Sequence, residues 1–257
     1  MFEKISERIY IQPPQPYTDR PNVGLIVGDK YTLLFEAGNS EKNVRQIKAD
    51  LAAQKLPMPD FVAVSHWHWD HTFGLHAWEA VTIAGGKTNR QLKTVSGWKW
   101  DDKSMKDREE SGEDIVFCNE MIKREYPDRS LINVKCADIS FEDRMTIDLG
   151  GISCNFIHAK GPHADDSVIC FIPQEKFVFL GDSNSKDLYG KPWKFDISHE
   201  ENFLPEVEKI PYDKNLVDEY LALLGGLDFE KCADGHIGVM TKKELCRSFH
   251  TVNNTTK

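Results

Sequence analysis

A chain of 257 residues with 40% hydrophobic and 28% charged side chains can bury a large core, and β-rich folds of this size often form one domain. Its formal net charge of −9 argues against a general nucleic-acid binder, which needs a basic footprint, yet allows a small anionic substrate beside bound cations. Met1 to Arg8 carry no apolar signal segment, no run is long enough to span a bilayer, and the six cysteines lack Cys-x-x-Cys spacing. The expectation is a cytoplasmic protein with reduced thiols, a small-molecule substrate, no nucleic-acid or membrane partner, and an oligomeric state the sequence leaves open.

In chain order, Ile5 to Gln12 and Val23 to Phe35 read as strands, the second folded into a hairpin at Gly28-Asp29-Lys30. Glu36 to Ser40 reads as a loop, with Ser40 capping a helix that runs to about Gln54. Pro57 and Pro59 end that helix before an apolar strand, Phe61-Val62-Ala63-Val64.

Directly after that strand, residues 66 to 71 read His-Trp-His-Trp-Asp-His. Four potential metal ligands within six positions are hard to obtain from packing needs, and imidazole with carboxylate suits zinc, iron or manganese. His66 and His68 alternate and can point one way on an extended segment. Asp70 and His71 follow the break in alternation and could serve a second ion. Trp67 and Trp69 are expected to face away and pack.

Thr82 to Ala84 reads as a strand, and Gly85-Gly86-Lys87-Thr88 as a turn into a helix, since Val81 stands where a phosphate loop needs its first glycine. The stretch 89–138 is the least regular and reads as a helical or loop insertion near the active site. Within it, Asp101 to Asp114 is expected to be a solvated loop and Ile115 to Tyr126 a short amphipathic helix, with Trp98 a candidate substrate contact. Strands follow at Met145–Leu149, Ile152–His158, Ser167–Ile172 and Phe177–Leu180. Tyr189 and Trp193 come soon after and are candidate substrate contacts. Asn215 to Leu224 reads as a helix stopped by Gly225-Gly226, and Thr241 to Thr251 as a final helix with a Thr241/Glu244 capping box.

Three further ligand candidates lie just past β-like segments and beside or near glycine: His163 in Gly161-Pro162-His163, Asp182 in Gly181-Asp182, and His236 in Gly235-His236. Singly, such dipeptides usually mark ordinary turns. His76, His158, His199 and His250 are expected to have structural or surface roles.

The order His-x-His-x-Asp-His, then His, Asp and His, resembles the metallo-β-lactamase superfamily of metallohydrolases, from about Ile5 to His236. The resemblance implies an α+β fold, a four-layer αββα sandwich with two mixed β-sheets face to face and helices outside. It also implies two divalent metal ions, zinc foremost with iron or manganese as alternatives. His66, His68 and His163 would hold the first ion, Asp70, His71 and His236 the second, and Asp182 would bridge them. True β-lactamases of this type carry cysteine or serine where Asp182 stands, so the likeness is to glyoxalase II-like and lactonase-like branches. The lactonase tyrosine just after that position is replaced by Ser183, Asn184 and Ser185, which argues against a homoserine lactone.

No Gly-x-Ser-x-Gly elbow is present, so hydrolysis would use water made reactive as a hydroxide between two ions. The expected activity is hydrolysis of a small ester, thioester, lactone or phosphodiester, with Asp70 orienting the second ion and passing a proton to the departing group. The alternative is an oxidoreductase like the persulfide dioxygenases, with one iron on His66, His163 and Asp182.

Overall fold

The computed structural model describes residues 1–189 and 211–252, the last three without their side chains. One sheet holds seven strands in chain order: β1 (Glu3–Lys4), β2 (Ile9–Gln12), β3 (Val23–Val27), β4 (Thr32–Phe35), β5 (Phe61–Ala63), β6 (Val81–Gly85) and β7 (Ile139–Phe141). β1 to β4 pair antiparallel, and β4 to β7 pair parallel. Parallel neighbours need a crossover, which α1 (Glu41–Ala53) supplies between β4 and β5. The second sheet holds β8 (Arg144–Asp148), β9 (Ser153–His158), β10 (Val168–Ile172), β11 (Phe177–Gly181), β12 (Lys231–Asp234) and β13 (Gly238–Thr241). β8 to β11 form an antiparallel meander, β12 runs parallel to β11, and β13 returns antiparallel. α6 (Lys214–Gly225) precedes β12, and α7 (Lys242–Val252) follows β13.

The apolar runs of β4 and β11 are continuous because both faces of each strand are covered. Leu33 and Phe35 point between the sheets, where they meet Phe156, Phe177 and Phe179, while Leu34 faces Val44, Ile47 and Leu51 of α1. In β11, Phe177 and Phe179 point inward, whereas Val178 and Leu180 pack on Val217, Tyr220 and Leu224 of α6 and on Leu245 of α7. The result is the expected helix–sheet–sheet–helix sandwich. Ser40 caps α1 by accepting from the Asn43 amide, and Thr241 and Glu244 form the expected capping box on α7.

A satellite cluster lies over the ligand loop. It joins Trp69 and Phe73, around α2 (Trp69–Thr72), with Val95 of α3 (Gly86–Val95), Met105 of α4 (Asp102–Ser111), and Cys118, Met121 and Ile122 of α5 (Val116–Glu125). We call α4, α5 and the flanking Trp98 and Trp100 the cap.

The expected solvated loop over Asp101–Asp114 is instead α4. It carries little apolar signal, with Met105 and Arg108 its buried residues, but it is bounded by good caps. Asp101 accepts from the Ser104 amide, and Gly112 closes the helix at φ +79°. Pairs three or four apart, Lys103–Asp107 and Lys106–Glu109, run along it. β7 and β13 were also not anticipated, and the strand expected from Ile5 begins only at Ile9. Among the described residues, no helix is long and apolar enough to cross a membrane.

Candidate metal centre

β5 delivers Ser65 and His66 to the end of its sheet, and the chain then turns into α2 with His68 as the residue before it. His66 and His68 therefore lie in the bend between β5 and α2, whereas Asp70 and His71 lie on a helical turn, so the two pairs point to different places. The Asp166 carboxylate fixes this loop, accepting from the Trp67 amide at 2.8 Å and the Thr88 hydroxyl at 2.9 Å.

The second sheet supplies the remaining residues. His163 follows β9, Asp182 follows β11 directly, and His236 follows β12. Asp234 accepts from the amides of His236 and Ile237 at 2.9 Å, and the Asn22 amide donates to the Gly235 carbonyl at 2.7 Å. A Cβ on Gly235 would stand 2.0 Å from Asp182 Oδ1, so only glycine allows this approach.

All seven candidates converge in two adjoining groups. His66, His68 and His163 offer ligand atoms within 4.8 Å of one another, as do Asp70, His71, Asp182 and His236. In the first group, His68 Nδ1 lies 2.8 Å from His66 Nε2 and 3.0 Å from His163 Nε2. In the second, Asp70 Oδ2 lies 2.9 Å from His71 Nε2 and 3.2 Å from His236 Nε2. Asp182 spans the two, with Oδ2 3.2 Å from His236 Nε2 and 3.8 Å from His163 Nε2.

The donor set fits divalent cations. His71 Nε2 and Asp182 Oδ1 are buried without a hydrogen bond, as atoms that await an ion would be. His163 Nδ1 donates to the Lys186 carbonyl at 3.0 Å, which leaves Nε2 free. Burial holds His66 well below its usual pKa, and burial with His163 nearby takes His68 to about 3, so both are neutral and able to ligate. Burial would raise Asp70 and Asp182, but the neighbouring His71 and His236 outweigh it and hold both carboxylates low. Burial would likewise lower His71 and His236, yet the surrounding carboxylates hold both high.

Two carboxylates that the sequence did not single out stand behind the second group. Glu36 Oε2 lies 3.1 Å from His71 Nδ1, and Asp19 Oδ1 lies 3.7 Å from His236 Nδ1. Burial and Asp70 raise Asp19 to about 7. A signal for Glu36 existed, because it is an acidic residue directly ending the apolar run Leu33-Leu34-Phe35. Asp19 sits in a polar loop and carried none.

Of the expected substrate contacts, Tyr189 lies beside His68 with ring centroids 5.2 Å apart and planes tilted by 32°, and its hydroxyl donates to Asp114 at 3.1 Å. Trp98 meets Trp67 at 6.3 Å, and Trp67 in turn meets His68 at 4.8 Å. Trp193 and His199 lie outside the described residues, as does the His250 side chain. His76 contacts the Phe73 carbonyl and His158 the Asp165 carbonyl, in keeping with structural roles.

The fold has many solved counterparts. A metallo-beta-lactamase from Pontibacter korlensis aligns over 99% of both chains with a TM-score of 0.62 at 15% identity. A metallo-beta-lactamase family protein from Thermus thermophilus aligns over 96% of this chain and 81% of its own, with a TM-score of 0.62 and 15% identity. An archaeal metallo-beta-lactamase superfamily protein from Sulfolobus tokodaii aligns over 96% and 86%, with a TM-score of 0.57 and 18% identity. No curated protein matches the chain. The family model described as the metallo-beta-lactamase superfamily matches residues 17–201. On that match, and with two sheets bringing His and Asp groups together at their ends, the chain belongs to the metallo-beta-lactamase superfamily.

Proposed function

We propose that this protein is a dinuclear metal-dependent hydrolase acting on a small ester, thioester, lactone or phosphodiester, with zinc the leading ion. The observation that carries the reading is Asp182, whose Oδ2 stands between His163 of one ligand group and His236 of the other. A centre with a single iron on His66, His163 and Asp182 would leave Asp70, His71 and His236 gathered without a purpose. Two cations held there would make a water reactive near neutral pH and polarise the electrophilic oxygen of the substrate.

The chain's own residues position and protect that chemistry. His66, His68 and His163 would hold one ion and Asp70, His71 and His236 the other, with Asp182 shared between the two groups. Asp70 would orient its ion and, after taking up the proton released by the attacking water, would pass it to the departing group. The His236 side chain is 32% exposed, whereas those of Asp70, His71, His163 and Asp182 are 8% or less, so substrate enters on the His236 side. Trp67 and Tyr189 wall off the opposite flank at His68, backed by Trp98, and the segment 89–138 acts as a cap over this wall.

The test is ion analysis of the purified full chain together with turnover on a panel of these four bond types. Two ions per chain are expected, with Asp182→Ala and His163→Ala losing ions and turnover together. Unchanged turnover after ion loss would remove the ions from the mechanism. One iron per chain with oxygen uptake on glutathione persulfide would point to the oxidoreductase instead.

A further inference from the structure

The two ligand groups differ in what stands behind their imidazoles. In the first group, His66 Nδ1 meets the Ser65 hydroxyl at 2.9 Å and His163 Nδ1 meets the Lys186 carbonyl at 3.0 Å, both uncharged partners. In the second, the corresponding nitrogens of His71 and His236 face carboxylates, Glu36 at 3.1 Å and Asp19 at 3.7 Å. Both carboxylates sit on non-glycine residues with left-handed backbone, at φ +78° for Glu36 and +54° for Asp19. Such backbone is strained for a residue with a side chain and persists where the surroundings hold it in place. Glu36 is also 1% exposed, an expensive place for a carboxylate that does not serve a nearby charge.

We infer that the centre holds its two cations unequally, the Asp70/His71/His236 half more tightly, because Glu36 and Asp19 act as positioning residues behind its imidazoles. The inference rests on the two-cation reading above. A carboxylate behind a ligating imidazole fixes the ring and raises its basicity toward the ion. Charge acts in the same direction. Glu36, Asp19, Asp70 and Asp182 all surround the second half, while the first half has three imidazoles and a share of Asp182. The second half therefore fills first when ions are scarce and empties last under a chelator.

The experiment titrates the chelator-stripped full chain with Zn2+ by equilibrium dialysis at mildly alkaline pH, where protons compete least for imidazole. Two binding steps at least tenfold apart are expected. His163→Ala should remove the weaker step and His236→Ala the tighter one. Glu36→Gln keeps the shape and removes the charge; it should weaken the tighter step by roughly 10–100-fold. The weaker step and the melting temperature of the ion-free chain should stay put, which a merely structural role would not allow. Glu36→Asp should restore part of the loss, and Asp19→Asn should have a smaller effect across its longer contact. A tighter step that survives His236→Ala and vanishes in His163→Ala overturns the inference, as does Glu36→Gln leaving both steps intact. If the unaltered chain binds one ion only, the two-cation reading fails, yet the inference is still decided. Loss of that single step in His236→Ala supports it, and loss in His163→Ala overturns it.

Discussion

Between the sheets the packing is almost wholly apolar, with Phe35, Phe156, Phe177 and Phe179 meeting at ring distances of 4.9 to 6.4 Å. The cap is assembled differently. Its tryptophans clamp a buried cation, with the Arg108 guanidinium 4.4 Å from the Trp98 ring and 4.9 Å from that of Trp100. Its ties to the sandwich combine apolar packing on Trp69 and Phe73 with polar contacts: Glu125 accepts from Ser40 at 2.5 Å and from Arg20 at 2.8 Å, and the Tyr126 hydroxyl donates to the Asn39 carbonyl at 3.0 Å. Apolar packing is indifferent to pH and close-packed, so it suits a scaffold that aims seven candidate ligands. The charges and hydrogen bonds of the cap respond to pH and to single substitutions in a way that the apolar packing between the sheets does not.

The largest test of this contrast lies in the scaffold. Phe179→Ala removes a ring that packs on Phe35, Phe177 and the bare backbone of Gly24, and should cost about 3–5 kcal/mol of global stability by denaturant titration. A loss under about 1 kcal/mol would mean that the sandwich does not depend on its inner layer. Next, Glu125→Ala strands Arg20, whose side chain is 12% exposed, and should cost about 3 kcal/mol. Hydrogen exchange should then quicken in α4 and α5 before it does in β4 or β11. Uniform quickening would erase the distinction between the two regions.

A pH effect comes third. Burial pushes the Asp114 carboxyl up to about 6. A carboxyl that binds its proton more readily when folded than at its unfolded pKa of about 3.9 makes stability fall as pH rises between those values. The cap should therefore loosen by on the order of 1–3 kcal/mol from about pH 4 to about pH 6 and level off above. Asp114→Asn should flatten that slope, and an unchanged slope would place its origin elsewhere. The smallest expected effect is Tyr126→Phe, which removes one hydrogen bond to Asn39 and should cost about 1 kcal/mol.

Much of the scaffold was legible in the sequence because β4, β9, β10 and β11 are apolar runs bounded by turn residues, and the ligands stand just beyond such runs. The Ser40 and Thr241 caps were readable for the same local reason. The cap helix α4 was not, because it lacks an apolar stripe and is held by its end caps, its ion pairs and two buried side chains. β7 and β13 escaped because they are short and half exposed, with Ile139 and Val239 about two-fifths open to solvent. Glu36 left a local trace at the end of its apolar run, but Asp19 acquires its meaning only when segments far apart in the chain meet, since its neighbour His236 stands far along the chain from it.

The ligands come from strand ends of both sheets, His66 to His71 from one and His163, Asp182 and His236 from the other. Ions held there, as proposed, would act as rivets across two plates that the apolar core already joins. Each rivet would favour the folded chain by an amount that grows with the logarithm of free ion, about 2.7 kcal/mol at a hundredfold excess over its dissociation constant. The temperature at which the plates part would then report how much ion the surroundings can spare, turning heat tolerance into a gauge of metal supply.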